Sequence, residues 1–206
     1  MIELYTWTTP NGRKISVALE EMGLPYEVKP INIGNDEQFS PEFLAISPNN
    51  KIPAIVDKDN GVSVFESGAI LTYLAEKTGK FLPAIGTAER AKVLEWLAWQ
   101  VGGFGPMLGQ LNHFARFRED KIPAAIERFA TESVRLYKVL DTQLDKTEFV
   151  GGEYSIADMA IYPWSIAALG GVEQMTGNSF SNVARWHDTV GGRPAVQAGM
   201  NIPPSA

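Results

Sequence analysis

The chain has no cysteine, and only two of its 206 residues are histidine. The first absence excludes disulfide staples, thiolate metal sites and every mechanism in which the protein brings its own thiol, so any redox sulfur must arrive on a ligand. The two histidines, His113 and His187, are too far apart for a helical pair and stand in no metal-ligand spacing; both read as surface or packing residues, and no metal is expected. An excess of positive charge is also missing. With 18 basic against 24 acidic residues the formal charge is -6, which speaks against nucleic acid or an anionic membrane surface as the main partner. No apolar run reaches spanning length, and Glu3 and Thr6 interrupt the start where a signal segment would be apolar, so a cytoplasmic address is expected. What remains, 45% hydrophobic and 20% charged residues, is ordinary globular material for one large domain or two small ones.

The first part of the chain alternates strand and helix signals. Ile2 to Trp7 is rich in β-favouring residues, and Ile15, Ala18, Leu19 and Met22 follow at helical spacing, stopped by Gly23 and Pro25. Tyr26 to Ile33 reads as a second strand, parallel to the first in a right-handed βαβ unit. Ser40-Pro41-Glu42 starts a short helix. Ile52 to Val56 is a strand entered through Pro53, and Asp59-Asn60-Gly61 turns it into an antiparallel partner, Val62 to Phe65. Ser67 is the natural N-cap of a helix running to Lys77. After a Gly- and Pro-punctuated connector, Gly79 to Gly86, only helical periodicity follows, so domains of residues 1–80 and 87–206 are expected. There Gly102, Gly103, Gly105 and Pro106 should kink or end the first long helix, Pro123 to Lys146 forms another, and Ser155 to Asp158 resembles a capping box before a nearly all-apolar helix. Asn182 to Val190 is a shorter helix, and the tail past Gly199 is expected to be loose.

Chemistry concentrates at Thr8 to Lys14, where the first strand turns into the first helix. A helix opening there aims unpaired N–H groups and its positive dipole end at its surroundings, which favours an anion. Thr9 and Asn11 offer a hydroxyl and an amide, donors that stabilise a thiolate but are poor nucleophiles without a base. The plain alternative is that either is only a helix cap. Tyr5, the nearest phenol, lies inside the strand and reads as a packing residue. Ile52-Pro53 is a candidate cis peptide that would leave the N–H and C=O of Ile52 free for an extended peptide. Glu66 and Ser67 suit the ammonium and carboxylate of an amino-acid head group, or are simply a solvated charge and a cap.

Taken together, Thr8-Thr9-Pro10-Asn11-Gly12, Ser47 to Val56, Phe65 to Ile70, Trp99 to Gly103 with Gly105 to Met107, and Tyr154 to Asp158 resemble the soluble glutathione transferases, in particular their Nu-class, disulfide-bond oxidoreductase branch. The resemblance implies an α/β thioredoxin-like N-terminal domain followed by an all-α C-terminal domain, in a homodimer. It implies glutathione as co-substrate, its γ-glutamyl end at Glu66 and Ser67, its cysteinyl backbone on Ile52 beside Pro53, its glycyl end near Lys51, Asn50 and Gln38, and its sulfur facing Thr9 and Asn11. It implies a second substrate, a disulfide or an electrophile, between the domains near Gly103 to Met107, Phe114, Arg128 and Trp164. The chain departs from the branches that carry a catalytic Tyr, Ser or Cys, which favours disulfide reduction. Conjugation of glutathione to hydrophobic electrophiles and a non-catalytic glutathione-binding role stay open on this reading.

Overall fold

In the computed structural model, which describes residues 1–203, the first apolar run becomes β1 (Ile2–Thr6), with Ile2, Leu4 and Thr6 buried in alternation with half-exposed Glu3 and Tyr5. That period of two marks one covered face, and pairing with β2 on one side and β3 on the other makes β1 an inner strand of a four-stranded sheet of order β2-β1-β3-β4. β2 (Tyr26–Pro30) runs parallel to β1 in the register Ile2 to Tyr26 through Thr6 to Pro30, across the helix α1 (Pro10–Met22). It is shorter than the expected Tyr26 to Ile33 because its partner ends: Ile31 N–H still reaches Thr6 O at 2.9 Å, but beyond Thr6 the chain turns into α1. Two 3₁₀ turns, Ile33–Asn35 and Glu37–Phe39, lead to α2 (Pro41–Leu44), which Ser40 caps by accepting from Phe43 N–H. β3 (Ala54–Asp57) and β4 (Val62–Phe65) complete the sheet as an antiparallel pair. β3 starts at Ala54 and not at Ile52, since Pro53 has no N–H to give a ladder. α3 (Ser67–Thr78) then packs against α1.

The far end of α3 is tied to the sheet through charge. Asp57, buried at the end of β3, accepts from Tyr73 Oη at 2.6 Å and pairs with Lys77 Nζ at 2.7 Å. Burial would push the Asp57 carboxyl up, but Lys77, Tyr73 and the Asp59 N–H outweigh it and hold the group at about 2.

The described residues divide into two compact units, Met1–Leu82 with the chain from Gly191 onward, and Pro83–Val190. The sequence reading, which grouped 87–206 together, differs at its C-terminal end because a short helix there, α9 (Pro194–Met200), belongs to the first unit. Arg193 grips Glu21 through two bonds of 2.6 and 2.9 Å, and Ser16 Oγ donates to Gly199 O at 2.7 Å. At Gly199 a Cβ would stand 2.5 Å from the backbone of Val17, so α9 approaches α1 as only glycine permits. Of the tail past Gly199, expected to be loose, Pro203 is buried and Asn201 exposed, and residues 204–206 lie outside the described residues.

In the second unit α4 (Ala88–Trp99) passes through a π-helical turn, Gln100–Phe104, into α5 (Gly105–Asn112) and a second π turn, His113–Phe117. The Gly and Pro cluster widens this helix and does not end it. Pro106 falls in the first turn of α5, where the wide turn already disrupts the i to i−4 ladder and a missing N–H costs little. α6 (Pro123–Leu144), α7 (Ile156–Thr176) and α8 (Ser181–Gly191) follow. Rings of Trp96, Trp99, Phe104, Tyr137 and Phe180 pack in sequence at centroid distances of 4.9 to 5.2 Å.

The expected capping box opens α7. Asp158, fully buried, accepts from Ser155 N–H at 3.1 Å, Val150 N–H at 3.1 Å and Trp186 Nε1 at 3.0 Å, which joins the preceding loop, α7 and α8 at one carboxylate. Burial still pushes this carboxyl up, to about 6, against the pull of those donors. Its proton is therefore retained in the folded state over a range where the unfolded chain has lost it, and its contribution to stability declines as pH rises from about 4 to about 6. Asp158→Ala is expected to cost about 2–4 kcal/mol in urea unfolding, because the donors are left dry and unpaired. A loss below about 1 kcal/mol would show that the box is dispensable.

Candidate active site

The turn after β1 is built around glycine. A Cβ at Gly12 would stand 2.3 Å from Thr6 Oγ1 and 2.4 Å from Trp7 O, so the first turn of α1 lies directly on the end of β1. Thr9 is the N-cap, its Oγ1 accepting from Gly12 N–H at 3.1 Å. This is the plain reading foreseen from sequence, yet it leaves the chemistry intact: a hydroxyl that accepts through a lone pair keeps its own proton to donate. The helix start is less rich in N–H groups than expected. Pro10 has none, Gly12 is capped and Arg13 N–H is taken by Thr9 O at 3.0 Å. Donation from side chains therefore matters more here than the helix dipole.

Asn11 lines an open cleft in the first unit, together with Ser47, Lys51, Ile52, Pro53, Phe65, Glu66 and Ser67. The Ile52-Pro53 bond is cis, as the sequence suggested. Among the described residues the N–H and C=O of Ile52 have no backbone partner. Ser47, buried and not singled out from sequence, anchors this loop by donating to Lys51 O at 2.9 Å. Asn50 holds a left-handed φ of 46°, a conformation that Asn tolerates better than most residues. Gln38, Asn50 and Thr9 do not line the cleft. Gln38 sits on the second 3₁₀ turn, its Nε2 donating to Asp36 at 3.3 Å and its Oε1 buried with no partner among the described residues.

The start of α3 corrects the sequence reading. Ser67 is not the N-cap but the first helical residue, and the cap position falls to Glu66, whose φ of 69° is costly for a residue with a side chain. No side chain caps the helix. The N–H groups of Ser67, Gly68 and Ala69 consequently take no partner among the described residues, and they stand at the positive end of the α3 dipole. The sequence missed the reason, because it lies on another element. Released from capping, Ser67 Oγ accepts from Lys14 Nζ of α1 at 3.2 Å. Glu66 is exposed at the cleft and accepts from Asn49 Nδ2 at 3.3 Å.

Tyr5 takes no part in this cleft. Its phenol donates to Glu3 at 3.3 Å, its ring lies against Phe43, and burial together with the Glu3 carboxylate pushes its pKa up. His187 is a packing residue bonded to Ser165 Oγ at 2.8 Å and held neutral by burial, its pKa near 4. His113 is exposed. In the second unit Phe114 stacks on Phe129 at 5.6 Å, and Trp164 lies against Gly105 and Gly109.

The arrangement is that of a thioredoxin-like domain: a mixed four-stranded sheet, a helix start after the first strand, a cis-proline loop, and a second helix start with bare N–H groups. Residues 1–76 match the family described as "Glutathione S-transferase, N-terminal domain". Disulfide-bond oxidoreductase YfcG of Escherichia coli (strain K12) is 52% identical over 202 residues, covering 95% of this chain and 93% of that protein. Disulfide-bond oxidoreductase YghU of the same organism is 44% identical over 98% of this chain and 74% of its own length. A crystal structure of a glutathione transferase from Pseudomonas putida, with one glutathione disulfide bound per subunit, superposes with a TM-score of 0.92 at 44% identity, covering 98% of this chain and 91% of that one. The chain belongs to the glutathione S-transferase family.

The cap assignment is directly measurable. Thr9→Ala should lower unfolding stability by about 1 kcal/mol, whereas Thr9→Ser, which keeps the oxygen, should stay within about 0.5 kcal/mol. Equal losses from both would mean that the Gly12 N–H bond contributes nothing.

Proposed function

We propose that this protein is a glutathione-dependent disulfide-bond reductase of the Nu-class kind, acting as a cytoplasmic homodimer. The observation that carries the reading is a cleft suited to a short peptide, next to a hydroxyl and an amide, in a chain that owns no thiol. Its relatives named as disulfide-bond oxidoreductases, and the related transferase crystallised with glutathione disulfide, support it. Among the described residues no helix is long and apolar enough to cross a membrane.

Glutathione lies extended in the cleft. Its γ-glutamyl carboxylate meets Ser67 and the bare N–H groups of α3, and Glu66 faces its ammonium. Ile52 pairs with the cysteinyl backbone beside Pro53, and the glycyl carboxylate is drawn by Lys51 with Asn50 and Gln38 nearby. The sulfur comes to Thr9 and Asn11, whose donors stabilise it as thiolate. That thiolate attacks one sulfur of a substrate disulfide; the S–S bond breaks, and the departing thiolate takes up a proton. A second glutathione thiolate attacks the mixed disulfide, forming glutathione disulfide and releasing the second thiol. Two electrons pass from two glutathione thiols to one substrate disulfide, and the two thiol protons end on the products.

The energetic demand is modest. A thiol of pKa about 8.5 is only a few per cent ionised at neutral pH, and lowering it by about two units asks for roughly 2.7 kcal/mol. Two side-chain donors to a charged sulfur, at roughly 1.5 kcal/mol each, meet this without a large dipole contribution.

The purified protein is expected to reduce a small dialkyl disulfide with glutathione much faster than it conjugates an aryl halide. Equal or reversed rates favour conjugation, and tight glutathione binding with no turnover in either assay favours a binding role. Thr9→Ala should lower the disulfide rate by about tenfold to a hundredfold while glutathione affinity stays within about fivefold, since the contact strengthens as charge develops on sulfur. Thr9→Ser and Tyr5→Phe should retain the rate. An unchanged rate in Thr9→Ala removes Thr9 from the mechanism.

A further inference from the structure

Lys14 occupies an unusual place for a lysine. It points inward from the first turns of α1, is 2% exposed, and ends 3.2 Å from Ser67 Oγ, so its nitrogen lies behind the cleft wall and not in solvent. Lysines are almost never buried this far unless something compensates the charge. Burial draws the Lys14 pKa down to about 7, and the Glu66 carboxylate pulls the other way. In the cleft in front of Lys14 the Glu66 carboxylate is exposed, and the first turn of α3, which no side chain caps, directs the positive end of its dipole there.

We propose that Lys14 positions the γ-glutamyl carboxylate of glutathione through Ser67: as an ammonium it can only donate, so it fixes Ser67 Oγ as an acceptor and turns the hydroxyl proton toward the cleft. Ser67 then meets a ligand as a donor and rejects groups that would themselves donate. The buried charge favours an anion at the same point and is in turn stabilised by it. A capping serine would spend its oxygen on its own helix; displacement of Ser67 from the cap to the first helical position is what frees that oxygen for Lys14. This assignment rests on the glutathione reading above and adds to it a residue that selects carboxylate over its neutral isostere.

The test is calorimetric titration of wild type, Lys14→Met, Ser67→Ala and the double variant with two probes, with melting temperatures recorded alongside. The probes are reduced glutathione and its analogue carrying a carboxamide in place of the γ-glutamyl α-carboxylate. Lys14→Met should weaken glutathione binding by about tenfold or more and leave the carboxamide analogue within about threefold of its wild-type affinity. It should melt no lower than wild type, because a buried thioether needs no charged partner. On the Ser67→Ala background the same substitution should cost about threefold or less, since the intermediary is gone. Should Lys14→Met not fold, Lys14→Gln is read by the same discrimination between probes. Equal weakening of both probes, glutathione affinity within threefold of wild type in Lys14→Met, or an undiminished effect on the Ser67→Ala background overturns this assignment alone. A wild-type protein that binds no glutathione overturns the reading beneath it as well.

Discussion

The packing of α1 against α3 is the constraint from which the site follows. Each helix begins where the chain leaves the sheet, and their contact brings Lys14 of one behind the first residue of the other. Two helix starts so placed have different chemistry. The α1 start is closed on itself by Thr9, Pro10 and Arg13, and offers side-chain donors; the α3 start is open and offers backbone donors backed by a buried lysine. One suits a thiolate, the other a carboxylate, and these are the two ends between which a γ-glutamyl-cysteinyl unit extends.

Local cost marks the same places. Glu66 at a φ of 69° lines the cleft, Asn50 at 46° precedes its Lys51, and Lys14, almost unexposed, ends 3.2 Å from its Ser67; each is unfavourable in isolation. Such features persist only where the surroundings over-determine them. Here the surroundings are the tight seat of Gly12 on β1, the Asp57, Tyr73 and Lys77 cluster at the far end of α3, and the return of α9 onto α1 through Arg193 and Gly199. The last of these means that residues at the C-terminal end of the chain support the helix that carries Thr9 and Asn11.

On the proposed function, the absence of cysteine is a chemical advantage. Thiol–disulfide exchange on a borrowed sulfur would leave nothing covalently modified on the chain when turnover fails, because the mixed disulfide would form between glutathione and the substrate. In that reading the protein contributes position and charge stabilisation, through groups that are not consumed.

The sequence by itself determined the elements and their order, since these follow from short-range rules: alternation along Ile2 to Thr6, the Asp59-Asn60-Gly61 turn, helical spacing through α1 and α3, and the Ser155 to Asp158 box are all read within a few residues of one another. It also determined that no thiol chemistry could originate in the chain. Tertiary structure alone decided what Ser67 does. Read locally it is a cap; in the fold it is the first residue of α3, because the strained Glu66 takes the cap position and a lysine fifty-three positions earlier claims the serine oxygen. The same holds for the return of α9 to the first unit and for the helix that widens through Gln100 to Phe104 without breaking. For Ser67 and for α9 the deciding partner lies on another element, where periodicity and propensity carry no information.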